Sequence, residues 1–195
     1  MDALTIAAYD REAERISDLH QKLIPARLYA LISKYFLPGL RALDIGCGSG
    51  RDTAWLAENG FDVLGVDASV GMLDQAVRRY PGLDFKVIAL PGLEGIADAS
   101  FSNVLCSAVF MHLDQGDSKI AALNILRVLL PGGILILSVR GTNEVGKREN
   151  GKLYEEISRE DILGLFDGLG AGLLFSEDTF EAARNHIWHT FVFKK

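Results

Sequence analysis

Ala42-Leu43-Asp44-Ile45-Gly46-Cys47-Gly48-Ser49-Gly50 is the stretch that decides the fold. An apolar strand over residues 42–45 runs into a turn with three alternating glycines, and a helical stretch follows from about residue 52. Glycine reaches positive φ without strain and lets a ligand come close to the backbone. The start of the next helix offers unpaired N–H groups to a polar ligand. The second strand, 63–66, ends at Asp67, which lies 21 positions after Gly46. An acid at the tip of the second strand, ~20 residues beyond such a loop, is placed to hold both hydroxyls of a ribose.

The spacing also says which nucleoside to expect. A dinucleotide loop reads G-x-G-x-x-G/A, with the third small residue packing helix on strand. Here that position is Arg51, and the pattern is G-x-G-x-G. Asp44 adds a carboxylate near the end of the first strand, which suits a ligand carrying an ammonium group rather than a pyrophosphate. Asp44 and Asp67 together fit an amino-acid nucleoside.

Outward from this loop, short apolar runs alternate with helical stretches, the pattern of an α/β fold with a largely parallel sheet. Residues 5–36 read as helical with a break at Pro25, and Pro38-Gly39 closes that region. Ser69 caps a helix that ends near Tyr80-Pro81-Gly82. Further strands are expected over 85–90, 104–107 and 134–139, with a helix between the last two that starts at Asp117 or Ser118. The polar stretch 141–152 reads as a mobile surface loop. Ser158 and Asp161 have capping-box spacing ahead of a helix over 162–169. Residues 173–175 and 190–193 read as an antiparallel pair at the sheet edge.

The 195 residues fit one domain able to bury a core, and 49% hydrophobic with 24% charged residues is ordinary globular composition. A net charge of −6 leaves no electrostatic footprint for nucleic acid. No apolar run approaches the ~20 residues needed to span a bilayer. The first twenty residues mix acids, bases and apolar residues and do not read as a secretory signal. Cys47 and Cys106 are the only cysteines, so a reducing, cytoplasmic setting is expected.

These features resemble the class I S-adenosylmethionine-dependent methyltransferase family. Its first motif is matched from Leu43 to Gly50 and its second-strand acid by Asp67. Ser100-Phe101-Ser102-Asn103-Val104-Leu105-Cys106, followed by Val109-Phe110-Met111-His112-Leu113, is similar to its fourth strand and trailing loop. Leu129-Leu130-Pro131-Gly132-Gly133-Ile134-Leu135 is similar to its turn into the fifth strand. The resemblance covers about residues 9–193. It implies a Rossmann-like, doubly wound sheet of seven strands, mostly parallel with the last antiparallel. It implies a single methyltransferase domain over 1–195, with residues 1–40 a helical cap over the cofactor site, and S-adenosylmethionine as cofactor. Gly46, Cys47, Gly48 and Gly50 would then cradle the cofactor with Asp44, Asp67 and Ala68. Two departures stand out. No acid follows the third strand, so adenine would rest on Ala89, Leu90 and Met72. Ser102 takes the place of a common aspartate. Cys47 and Cys106 are small fillers beside the cofactor.

His112 lies where the family's acceptor approaches the methyl group. It is a candidate general base or substrate partner, and the competing reading is a loop anchor held by backbone hydrogen bonds. Tyr9, in the N-terminal helices with Arg11 and Tyr29, and Arg140, at the end of the fifth strand, are candidate substrate contacts. Packing and a solvated strand end are the competing readings. His186 and His189 lack a Cys or acid cluster, so no metal is expected. The expected function is methyl transfer to a small-molecule acceptor, by a monomer or homodimer without nucleic-acid or membrane partners. Three alternatives stay open: a module that holds the cofactor without transfer, a methyltransferase acting on RNA or protein, and a nicotinamide dehydrogenase.

Overall fold

The computed structural model describes residues 1–141, 147–155, 157–181 and 186–195. Strand β1 (Arg41–Ile45) lies parallel to β2 (Asp62–Asp67) on one side and to β4 (Phe101–Ser107) on the other. β3 (Asp84–Val87) extends the sheet beyond β2, and β5 (Leu129–Gly141) extends it beyond β4. β8 (Gly172–Glu181) and β9 (His186–Lys194) complete the seven-stranded sheet, whose order is β3-β2-β1-β4-β5-β9-β8. β9 is antiparallel to both neighbours. This is the Rossmann-like order expected, with α4 (Arg51–Glu58), α5 (Val70–Arg79) and α6 (Gln115–Val128) as connecting helices. The chain winds outward from β1 to β3, then returns to place β4 against β1. Ligands of such sheets bind at this switch, beyond the carboxyl ends of the strands.

Alternation along the strands splits the core in two. Leu43, Ile45, Val104, Cys106, Leu135 and Leu137 face one side of the sheet. Ala42, Leu105, Ile134, Ile136 and Val192 face the other, against α3 (Ala26–Tyr35) and α4. Burial on both faces accounts for the continuous apolar runs in the sequence. The helix α1 (Ala3–Arg11) is capped by Asp2, and α2 (Ala13–Gln21) packs Ala13 and Ile16 on Met72 of α5. Ser69 caps α5, and Ser158 with Asp161 forms the capping box of α7 (Arg159–Asp167).

Two expectations are corrected. The helix α6 begins before Asp117, because Asp114 takes the cap by accepting from Asp117 N–H at 2.7 Å. Residues 142–146 of the expected 141–152 loop lie outside the described residues. The rest forms an antiparallel hairpin of β6 (Lys147–Glu149) and β7 (Lys152–Tyr154). Its turn is Asn150-Gly151, both with positive φ, 51° and 87°. Asn-Gly is the strongest short hairpin signal, but three-residue strands of mixed charge offer no alternating pattern to support it.

Candidate active site

The loop after β1 folds back on β2. Gly46 and Cys47 both donate to the Val66 carbonyl, at 2.8 and 3.0 Å. Gly46, at φ +70°, runs so close to Val109 that a Cβ there would collide with the Val109 Cγ2 methyl. Gly48 N–H donates to Asp67 Oδ2 at 2.8 Å, and Ser69 N–H donates to Asp67 Oδ1 at 2.9 Å. Burial raises the Asp67 pKa, and the backbone N–H groups partly offset this by favouring its charged form.

A cavity of about 560 Å³ opens above these strand ends. That is within the usual ~300–1,000 Å³ of small-molecule sites. Gly46, Cys47, Gly48, Asp67 and Ala68 line it on the loop side. Met72, Ile88, Ala89 and Leu90 make an apolar wall beside Asp67. Tyr9 and His112 also border it.

Four other expected site residues point elsewhere. Asp44 shares the face of β1 that meets α4 and accepts from Thr53 Oγ1 at 2.6 Å, away from the cavity wall. Burial, and after it the Asp52 carboxylate, push the Asp44 carboxyl up to about 7. Its carboxylate ties the end of β1 to α4, outside the cavity lining. A Cβ on Gly50 would press on the Phe85 and Tyr80 rings, so that glycine serves packing. Cys106 belongs to the core, and burial drives its thiol pKa up. Arg140 is buried, with Glu149 at 3.2 and 3.3 Å and the Tyr154 ring 3.6 Å from its Cζ. Its two terminal nitrogens are therefore engaged by Glu149, while its buried Nε has no hydrogen-bond partner among the described residues. Arg11 is exposed beside Glu12, and Tyr29 stacks on Trp55.

His112 sits in a short 3₁₀ turn, Phe110–His112, just after β4. Its Nδ1 is 2.6 Å from the Leu153 carbonyl oxygen, and its Nε2 is 3.1 Å from Tyr9 Oη. A carbonyl only accepts, so Nδ1 carries the proton. In the neutral ring Nε2 then accepts from the Tyr9 hydroxyl. Burial pushes the His112 pKa down to about 4 and the Tyr9 pKa up. Ser102 is buried in β4 and is not part of the cavity wall.

Strand register brings together residues that the sequence reading missed. Ser107 of β4, Ser138 of β5, Thr190 of β9 and Glu177 of β8 stand in one row across the sheet, and all four line the cavity. Trp188 and Glu181 extend this polar floor, with Trp188 Nε1–H donating to Glu181 at 3.0 Å. Leu23, Ile24, Leu28 and Leu31, from α3 and the segment before it, contribute apolar lining. Arg27 at the start of α3 is paired with Glu177, at 2.7 Å. The β4–β5 register and the place of β9 between β5 and β8 relate these positions, and no local motif marks them. Among the described residues no three His, Cys, Asp or Glu side chains gather as a metal ion would need.

A family model described as a methyltransferase domain matches residues 43–137. Demethylmenaquinone methyltransferase of Renibacterium salmoninarum is 37% identical over 105 residues, covering 52% of this chain and 42% of that protein. Ubiquinone biosynthesis O-methyltransferase of Hahella chejuensis is 33% identical over 141 residues, covering 69% and 57%. The chain thus spans about half the length of these curated relatives. Among solved structures, Burkholderia thailandensis 1,6-didemethyltoxoflavin-N1-methyltransferase, with bound 1,6-didemethyltoxoflavin and S-adenosylhomocysteine, superposes with a TM-score of 0.77. The match covers 99% of this chain and 88% of that one at 20% identity, a likeness of fold.

Proposed function

We propose that this chain, which belongs to the class I S-adenosylmethionine-dependent methyltransferase family, binds S-adenosylmethionine in its cavity and transfers the methyl group to a small organic acceptor. The single observation that carries this reading is Asp67, a half-buried carboxylate in the cavity wall that already holds Gly48 of the glycine loop. The cavity suits the cofactor. Asp67 would receive the ribose hydroxyls, and Met72, Ile88, Ala89 and Leu90 offer apolar surface for adenine. Residues 1–40 would act as the cap, since Tyr9, Leu23 and Leu28 border the same space. Two free, buried cysteines are in keeping with a reducing cytoplasm. Among the described residues no helix is long and apolar enough to cross a membrane.

When bound, the cofactor supplies an activated methyl group on its sulfonium. The work left to the chain is to align the acceptor atom with that group, exclude water and manage one proton. Tyr9 and His112 are our candidates for the last task. Tyr9 Oη would take the proton that the acceptor's O or N gives up. The Tyr9 hydroxyl proton passes to His112 Nε2. His112, held through Nδ1–H by the Leu153 carbonyl, would end with the proton on Nε2. The polar floor of Ser107, Ser138 and Thr190 would orient the acceptor.

The small acceptor is favoured over RNA by the net charge of −6. The relatives' names join methyl transfer to quinone precursors and a toxoflavin precursor, and these guide the choice of acceptors. Incubation with methyl-labelled cofactor against quinols, heterocycles and amines, with bulk RNA and denatured protein alongside, tests the reading. Label in a small product supports it. Label only in RNA or protein, or cofactor binding without transfer to any acceptor, contradicts it.

A further inference from the structure

The β6–β7 hairpin is fastened to the site at several points. Leu153 of β7 is held from both sides. Its N–H donates to Thr5 Oγ1 of α1 at 2.8 Å, and its carbonyl receives His112 Nδ1 at 2.6 Å. Glu155 N–H donates to the Met111 carbonyl at 2.9 Å, the residue before His112. The Lys152 ammonium lies 4.3 Å from the centre of the Tyr9 ring, and the Tyr154 ring meets His112 edge-on at 4.9 Å. At the hairpin's outer end Arg148 forms two hydrogen bonds to Asp2, at 2.9 and 3.0 Å, and a third to the Gly151 carbonyl at 3.0 Å. Asp2 also caps α1. One surface ion pair thus joins the hairpin to the helix that carries Tyr9.

This arrangement bears on the tautomer of His112. A neutral imidazole holds its proton on either nitrogen, and the partner of the other nitrogen decides which. Among the described residues the Leu153 carbonyl is the partner that fixes the proton on Nδ1, and that carbonyl belongs to the hairpin. With the hairpin displaced, His112 is free to hold its proton on Nε2, where it cannot accept from Tyr9. We propose that the β6–β7 hairpin is a positioning element for the transfer site and that Arg148, through its ion pair with Asp2, is the latch that keeps His112 in the Nδ1–H tautomer. Arg148 is a positioning residue, since it acts through Leu153 and His112. This role rests on the proton path proposed above, but the tautomer itself does not depend on that path.

The test is a series at Arg148, because Asp2 has a second duty as the cap of α1. Arg148→Lys keeps the charge, Arg148→Ala removes it, and Arg148→Glu sets two carboxylates against each other. Imidazole nitrogen shifts of His112, read by NMR on the full chain without cofactor, report the tautomer directly. Wild type and Arg148→Lys should show the Nδ1–H form. Arg148→Ala and, more so, Arg148→Glu should show a growing Nε2–H fraction. Arg41→Ala, which breaks an exposed pair with Asp62 at the far end of β1 and β2, should leave the shifts unchanged. With an acceptor in hand, turnover at saturating cofactor should fall about two- to fivefold in Arg148→Ala, the scale of an exposed ion pair, while the cofactor KM stays put. A His112 signal identical across the series overturns the proposal, even if methyl transfer is confirmed. Equal shift changes in Arg41→Ala also overturn it. Tautomer shifts as expected in a chain that transfers no methyl group would uphold the latch and count against the methyltransferase reading alone.

Discussion

The Asp67 carboxylate accepts the Gly48 N–H at 2.8 Å, so one side chain joins the end of β2 to the middle of the loop after β1. The acid thus shapes the loop before any ligand arrives. Its second oxygen is tied to Ser69 N–H at 2.9 Å, at the start of α5. Loop, acid and helix start are held as one unit, which limits the ordering that binding would otherwise require.

Gly46 should tolerate no side chain. Gly46→Ala adds a Cβ against Val109 in a backbone at φ +70°. Left-handed backbone at a residue other than glycine, together with this crowding, should cost about 1–3 kcal/mol in urea unfolding. Val109→Ala in the same chain should recover part of the loss, because it removes the methyl but not the strain. An equal loss in both backgrounds would disprove the contact.

The Tyr9–His112 pair should act in turnover rather than in cofactor binding. Tyr9→Phe keeps the ring beside His112 and removes only the hydroxyl that lies 3.1 Å from Nε2. Turnover should fall by ~10²–10⁴, the scale of general acid–base catalysis, with cofactor affinity nearly unchanged. His112→Ala should do the same to turnover and also lower the melting temperature, since the Leu153 carbonyl loses its partner. A loss of stability with full turnover would make His112 a loop anchor only.

Stability against pH carries two opposed signatures. The folded His112 pKa is depressed from 6.5 to about 4, so the unfolded chain takes the proton first as pH falls. Its contribution is complete above pH 6.5 and lost toward pH 4, in all roughly 3 kcal/mol. The folded Asp44 pKa is raised from 3.8 to about 7, which has the reverse effect, as stability falls when pH rises through that range. In urea melts between pH 4 and 6.5 these two slopes nearly cancel in the wild type, so Asp44→Asn should uncover a rise of stability with pH. His112→Gln should leave the opposite, a decline. Parallel curves for the two variants would refute these pKa directions.

The elements legible in the sequence were those with a local cause. Three alternating glycines after an apolar strand, an acid at the next strand's tip, and serines at Ser69 and Ser158 each act within a few residues. Asp44 misled because its place in the motif says nothing of which face of β1 it shares, and only packing under α4 settles that it meets Thr53. Arg140 misled in a similar way, since the Glu149 and Tyr154 that engage it come from a hairpin with too little pattern to be read. Ser138, Thr190 and Glu177 were invisible for a topological reason. They meet only because β9 inserts between β5 and β8.

Nucleic acid should not compete for the site. With a net charge of −6, retention on an RNA column at moderate salt is not expected. Retention that falls steeply as salt rises would reveal phosphate contacts and contradict a small acceptor.

The most direct measurement is a calorimetric titration of S-adenosylmethionine into the wild-type chain and into Asp67→Ala. The wild type should bind at one site. Asp67→Ala should bind more weakly by about 1.5–3 kcal/mol, the range for losing a hydrogen bond to a charged group. Equal affinity in the two chains would contradict the ribose role of Asp67, and no binding by a folded wild type would contradict the account as a whole.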